Sequence, residues 1–258
     1  MEVFPMCLIF VAHQAHERYR LVVAANRDEY YARPTKSAEF WPQTPTLLAG
    51  RDLEAGGTWL GVTKGGRFAA VTNYRDAEPH QTSAKSRGAL VLDFLGSAEL
   101  PSDYATRLSA NAEQYNGFGL LTGDTRELWY CSNRVADPRR LLPGVYGLSN
   151  HLLDTPWPKV ERGKKMLWEL LRSNELAAED LLDMMCDSTQ TSDAGHGAKG
   201  ADHGFERALS AMFVRSACYG TRSTTVVLVQ HDGEVEFVER SYPPGVAATR
   251  VCRHHFRL

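Results

Sequence analysis

Cys7 stands directly behind Met6, and the next apolar run ends in Asn26-Arg27-Asp28-Glu29. If translation starts at Met6, removal of that methionine makes Cys7 the first residue. A cysteine at a chain terminus joins a thiol nucleophile and a free amine, its own base, in one residue. In the sequence Glu2-Val3-Phe4-Pro5 precede Met6, so this chemistry requires a start at Met6 or a cleavage before Cys7. The alternative is a buried cysteine that opens a core strand, since free Cys is among the most buried residue types. The Asn26–Glu29 run concentrates an amide, a guanidinium and two carboxylates behind a buried strand. A paired Arg27 and Asp28 next to a thiol would favour thiolate and orient an amine. The bland reading of the same run is a strand-ending turn with solvated charges.

Asn73 and Asn150 each follow an apolar strand, in Thr72-Asn73-Tyr74 and Leu148-Ser149-Asn150. Side-chain amides there serve as oxyanion donors or end strands through Asx turns. Arg222, in Gly220-Thr221-Arg222, is a candidate anion anchor. Gly56-Gly57-Thr58-Trp59-Leu60-Gly61 has no following helix and no Lys-Ser/Thr, so it is not a phosphate loop. Trp59 there lines a cavity or the core. The nine histidines form no H-E-x-x-H and no two-cysteine zinc pattern, and no C-x-x-C-H for haem attachment occurs. His196, His203, Asp193 and Asp202 cluster in a loop of solvated composition. His254 and His255 are adjacent on a strand and point to opposite sides.

These residues must be held by sheets. Leu8–Ala12 and Arg20–Ala25 read as two buried strands of one hairpin, covered on both faces because their apolar runs are continuous. Residues 30–56, rich in Pro and aromatic residues, read as irregular. Gly57–Val62 and Arg67–Thr72 flank the turn Thr63-Lys64-Gly65-Gly66. Arg87–Leu95 and Ser102–Tyr115 read as helices, with Ser102 as N-cap. Gly117–Thr122 and Glu127–Tyr130 pair around Gly123-Asp124, and Val145–Leu148 is a short strand. Helices follow over Trp157–Leu171 and Glu175–Met185, and residues 187–204 form a mobile Gly/Ser/Asp/His-rich loop. Thr224–Gln230, Glu234–Glu239 and Arg250–Arg257 are strands, the last at an edge. Two helical blocks between strand hairpins predict two layers of sheet enclosed by two layers of helix, an α+β fold.

The chain of 258 residues is read as a single domain, with residues 1–5 as an N-terminal extension. A net charge of −2 excludes an electrostatic footprint for nucleic acid. No basic run suggests a membrane-surface tether, no apolar run reaches the roughly 20 residues of a transmembrane segment, and no signal-peptide pattern opens the chain. The five cysteines, Cys7, Cys131, Cys186, Cys218 and Cys252, are odd in number and far apart, which fits a reduced, cytoplasmic compartment.

Together the segments resemble the NRDE family, also called the transport and Golgi organisation protein 2 family. The matching stretches are Met6–Phe10, Ala24–Glu29, Gly56–Gly61, Thr72–Tyr74, Tyr115–Phe118, Tyr146–Asn150 with Thr155–Trp157, and Tyr219–Arg222. The resemblance implies a four-layer αββα sandwich of the N-terminal-nucleophile (Ntn) hydrolase type. It also implies a distant likeness to the bile-salt hydrolase and penicillin V acylase branch, in which Cys7, Asp28, Asn73, Asn150 and Arg222 fit the catalytic roles. That branch sets its first Arg three residues before the Asp. Here Arg27 is adjacent to Asp28, which on a strand turns it to the opposite side. The expected activity is hydrolysis of amide or acyl bonds in a small amphipathic substrate, with no required cofactor. The alternative, also implied by the family, is non-enzymatic carriage of haem. Asn26 and aromatic walls from Trp41, Trp59, Tyr74, Phe118 and Trp157 are the expected ligand-binding residues.

Overall fold

The computed structural model describes residues 7–76, 81–191, 207–245 and 248–258. The N-terminal extension with Met6, the loop residues 192–204, and with them Asp193, His196, Asp202 and His203, lie outside the described residues.

The first sheet has six strands. It holds β1 (Cys7–His13), β2 (Tyr19–Tyr30), β10 (Gly144–Leu148), β11 (Tyr219–Gln230), β12 (Glu234–Ser241) and β13 (Arg250–Arg257), in the order β10-β1-β2-β11-β12-β13. The second has seven strands in sequence order. They are β3 (Thr35–Trp41), β4 (Thr44–Asp52), β5 (Leu60–Thr63), β6 (Phe68–Asn73), β7 (Phe118–Gly123), β8 (Leu128–Ser132) and β9 (Arg139–Leu141). Every pairing within the two sheets is antiparallel. Among the described residues the longer helices are α1 (Gly88–Gly96), α2 (Pro101–Ser109), α3 (Pro158–Leu170) and α4 (Ala178–Met184).

Strand alternation assigns the layers. Ile9, Val11, Val23 and Ala25 meet Leu48, Leu60, Val62 and Leu121 between the sheets. Leu8, Phe10, Val22 and Ala24 turn the other way, onto Val160, Leu167 and Leu181 of α3 and α4. Ala69, Val71 and Leu120 pack on Leu90, Phe94, Tyr104 and Leu108 of α1 and α2. The result is the expected αββα order, with β1 and β2 buried on both faces.

Several local expectations are corrected. Residues 30–56 are not irregular, because β3 and β4 form a hairpin through Thr35–Asp52. Helix α2 starts at Pro101 with Leu100 as N-cap, so Ser102 lies inside its first turn. It ends at Ser109, before a separate 3-10 turn at Ala112–Gln114. The Asn26–Glu29 run does not follow β2 but lies inside it, with all four residues buried. Tyr219–Arg222 likewise belongs to β11. Among the described residues no helix is long and apolar enough to cross a membrane.

Candidate active site around Cys7

Cys7 opens β1, at the end of the first sheet where β2 and β11 carry their polar residues. Its register partner on β2 is Arg27, so both side chains rise on the inter-sheet face of the six-stranded sheet. The Cys7 backbone N–H donates to Asn150 Oδ1 at 3.1 Å. The Asn150 amide in turn donates to the Asn73 carbonyl oxygen at 3.0 Å, and the Asn150 carbonyl accepts from Arg75 N–H at 2.8 Å. Asn150 therefore joins the ends of β1 and β6. Its φ of +53° turns the chain back after β10, a conformation that asparagine tolerates better than most residues. The two expected oxyanion residues are thus brought to the Cys7 end of both sheets.

Asp28 lies one residue beyond Arg27 and faces the helix side, as Asn26 does. Its Oδ1 accepts from the Thr221 hydroxyl at 2.7 Å, and Thr221 is its register partner on β11. Its Oδ2 is buried and has no hydrogen-bond partner among the described residues. Burial pushes the Asp28 carboxyl up to about 7, against the pull of Lys159, the Thr221 hydroxyl and Arg27. The Cys7 thiol is pushed up to about 12 by burial and then by the Asp28 charge, with Arg27 and the Asp28 backbone N–H acting the other way. In this state the sulfur is a thiol, and a base must be supplied before it can attack.

Arg27 is held away from the sulfur. Its Nη1 donates to Thr35 Oγ1 at 3.0 Å, and its Nη2 meets Asp52 at 3.4 Å and Glu29 at 3.5 Å. The guanidinium lies over the Trp59 ring, 4.4 Å from its centroid. Arg27 therefore braces the two sheets and contributes to the thiol only through its charge. The half-turn offset between Arg27 and Asp28 that strand geometry requires is what the fold displays: one faces the second sheet, the other α3.

Arg222 sits in a β-bulge, between the register pairs Thr221–Asp28 and Ser223–Arg27. Its Nη1 donates to the carbonyls of Tyr30, Tyr31 and Arg33, at 2.8, 3.3 and 3.0 Å. It clamps the connection between β2 and β3, so the expected anion anchor has a structural task. A second guanidinium, that of half-buried Arg87, donates its Nη1 to the Gly117 carbonyl at 3.1 Å. Burial lowers it to about 10, with the Glu29 and Asp76 carboxylates acting the other way.

The expected ligand walls separate into two groups. Trp41 and Phe118 are buried in the core under α1 and α2, on the outer face of the second sheet and away from the thiol. They are not pocket walls. Asn26 is fully engaged: its amide donates to the Met185 and Met212 carbonyls, each at 2.9 Å, and its oxygen accepts from Thr224. It anchors the segment over the first sheet rather than a ligand. Trp59 stays under Arg27. Tyr74 and Trp157 do come together, through a residue that sequence reasoning missed. The His151 ring lies 4.7 Å from Tyr74 and 5.6 Å from Trp157, bonded to the Tyr74 hydroxyl and to Thr155 Oγ1 at 2.9 Å each. Its position next to Asn150 was the available signal.

Lys159 was missed as well. It lies in the first turn of α3 and is buried, and its Nζ donates to the Leu209 carbonyl at 2.9 Å. The sign of it in the sequence is a lysine four residues before Gly163 on the buried stripe of an amphipathic helix. Among the described residues, no three His, Cys, Asp or Glu side chains are grouped to hold a metal ion.

The family model described as "Transport and Golgi organisation 2" matches residues 6–244. The Bos taurus "Transport and Golgi organization protein 2 homolog" is 39% identical, over 98% of this chain and 99% of its own. The Homo sapiens homologue is 38% identical, over 92% of this chain and 93% of its own. Among solved structures, a Caenorhabditis elegans N-acylethanolamine-hydrolyzing acid amidase orthologue aligns with a TM-score of 0.50. The alignment has 10% identity and covers 86% of this chain and 92% of that one. At this identity the likeness concerns the Ntn-hydrolase fold.

Proposed function

The chain belongs to the transport and Golgi organisation 2 family, and from that premise we propose that it hydrolyses amide or acyl bonds in a small amphipathic substrate, with Cys7 as N-terminal nucleophile. The observation that carries this reading is the buried, unpartnered Asp28 Oδ2 beside the head of β1. A carboxylate oxygen without a donor is costly in an interior. Release of Cys7 as the first residue would turn its single backbone N–H into an amine with further donors. One of them would keep the Asn150 bond, and another would meet Asp28.

The chemistry follows from that arrangement. The amine takes the Cys7 thiol proton, and the sulfur attacks the carbonyl carbon to form a C–S bond. Donors on Asn73 and Asn150 stabilise the oxyanion. The carbonyl–leaving group bond breaks as the ammonium returns its proton to the departing nitrogen or oxygen. Water then hydrolyses the thioester by the same steps, with the amine as base. While Met6 remains attached, Cys7 lacks this base and its thiol stays protonated.

Expression from Met6, with intact-mass proof that Cys7 is the first residue, tests the reading. The processed protein should form a single covalent adduct with an acyl electrophile such as a β-lactone. Cys7→Ala should abolish both adduct and turnover while leaving the melting temperature within a few degrees of the parent. A processed, folded protein that takes no adduct would remove this reading.

A second reading, non-catalytic carriage of a flat apolar ligand with haem as the leading case, draws on the Tyr74–His151–Trp157 ledge beside Asn150. It predicts stoichiometric haem binding with a shifted Soret band that weakens at least roughly tenfold in Tyr74→Ala and Trp157→Ala variants. Equal affinity in parent and variants would exclude the ledge.

A further inference from the structure

We infer that the chain carries a second ligand site, at the far end of the inter-sheet layer from Cys7, where Arg20 and His13 receive a small planar carboxylate of formate size. This site shares no residue with the thiol site and is independent of the hydrolase reading.

Strand β1 opens with Cys7 and closes with His13, which separates the two ends by about 20 Å at the rise of a strand. At the His13 end a cavity opens between the sheets. Its walls are Leu21, Val62, Phe68, Val229, Phe256 and Leu258, and His13 and Arg20 reach into its lining. Alternation along β1 puts His13 on the same face as Ile9 and Val11, toward the second sheet. The same alternation would turn Arg20 away, because its neighbour Leu21 faces that sheet. A bulge reverses the outcome. Val229 pairs with Leu21 and Gln230 with Tyr19, so Arg20 is the extra residue on β2, and bulges re-aim side chains. Arg20 Nη2 lies against the β5–β6 turn, 3.9 Å from where Gly66 would carry a Cβ.

Both polar side chains lack partners. His13 is 8% exposed, yet its ring makes no hydrogen bond among the described residues. The half-buried Arg20 guanidinium makes neither a hydrogen bond nor an ion pair among them. Interior polar groups are nearly always partnered, so a ligand or water must complete these two. The other charges at this end are committed elsewhere. Asp124 Oδ1 caps the N–H groups of Arg126 and Glu127, at 2.7 and 3.0 Å. Glu127 pairs with Arg140 at 3.6 Å, and Arg67 donates to the Phe94 and Glu99 carbonyls. Burial and the Arg140 charge push His13 down from its usual value, so a neutral imidazole offers one N–H and Arg20 supplies the charge. The free space is about 30 Å³, room for about two waters or one planar anion of that size. Water would satisfy the donors but not the charge. A carboxylate does both, because its two oxygens match the guanidinium fork.

The test titrates sodium formate into the full chain carrying labelled histidine, with sodium chloride replaced so that ionic strength stays constant. The His13 ring signals, assigned with His13→Gln, should move along a saturating curve. Arg20→Gln should weaken the midpoint at least about tenfold, the size of a lost charge-assisted hydrogen bond. Arg20→Lys should fall between the two, since an ammonium keeps the charge without the fork. A shift that never saturates, an unchanged midpoint in Arg20→Gln, or an equal response to chloride alone overturns the proposal and leaves the cavity to water. If His13→Gln does not fold, thermal melts of the parent and Arg20→Gln decide. A formate-dependent rise in melting temperature that disappears in the variant supports the site, and equal rises overturn it. Neither readout involves Cys7, so a processed protein that takes no acyl adduct would remove the hydrolase reading while the formate titration still judges Arg20.

Discussion

Asp28 is where burial and chemistry meet at the scale of one residue. Its carboxyl ionises near pH 3.8 when exposed and at about 7 in the fold. Between those values the folded chain holds a proton that the unfolded chain has released. Stability is therefore full below the lower value and falls as pH rises through the window. Asp28→Asn removes that decline and keeps an oxygen for the Thr221 hydroxyl. Thermal melts from pH about 4 to about 7.5 should show the variant gaining on the parent as pH rises. A constant difference across that range contradicts the assignment. The residue types here were legible from sequence: Cys7, Asp28, Asn73 and Asn150 do gather at one end of the sheets. Lys159 and His151 were not, because a lysine at a helix start and a histidine in a turn are ordinary surface features until tertiary contacts cover them.

At the scale of elements, β2 and β11 determine which side chains meet. Twelve-residue strands carry their polar ends into the interior, so the charged run that resembles a turn is buried strand. The bulge at Arg222 changes which face β11 presents, and no composition signal marks it. Residues 30–56 were misread because Pro34, Pro42 and Pro45 suggest loop. Pro45 lies beyond the β4–β5 ladder, which pairs only Leu47–Ala49, so its missing N–H breaks no bond there. Helix α3 seats closely on β1, and Gly163 permits it: a Cβ there would sit 2.0 Å from Phe10 Cζ. Gly163→Ala should cost about 1–3 kcal/mol in urea unfolding. Addition of Phe10→Leu should recover part of that loss. A neutral Gly163→Ala would show that the helix seat is looser than the packing implies.

The molecule as a whole is two sheets joined by an apolar core and, at the Cys7 end, by ions. Arg27 on β2 reaches Thr35 and Asp52 of the second sheet, and Arg33 adds bonds to Asp52 and Glu29. Arg27→Met leaves buried carboxylates with one fewer cation. It should cost about 3 kcal/mol in chemical denaturation and lower the reactivity of Cys7 in the same samples. Unchanged stability would mean that Arg33 alone carries the sheet junction. Continuous apolar runs, the Gly65-Gly66 turn and the alternation of strand and helix blocks were enough to determine an αββα sandwich, because burial periodicity is a local property of the chain. Tertiary structure alone decided that Arg27 braces the sheets and that Arg222 clamps a turn. It also placed Trp41 and Phe118 in the outer core and buried Lys159 against the Leu209 carbonyl. Each of those outcomes depends on which face meets which neighbour in another element or across a bulge, and register is set by the whole sheet rather than by the residues it aligns.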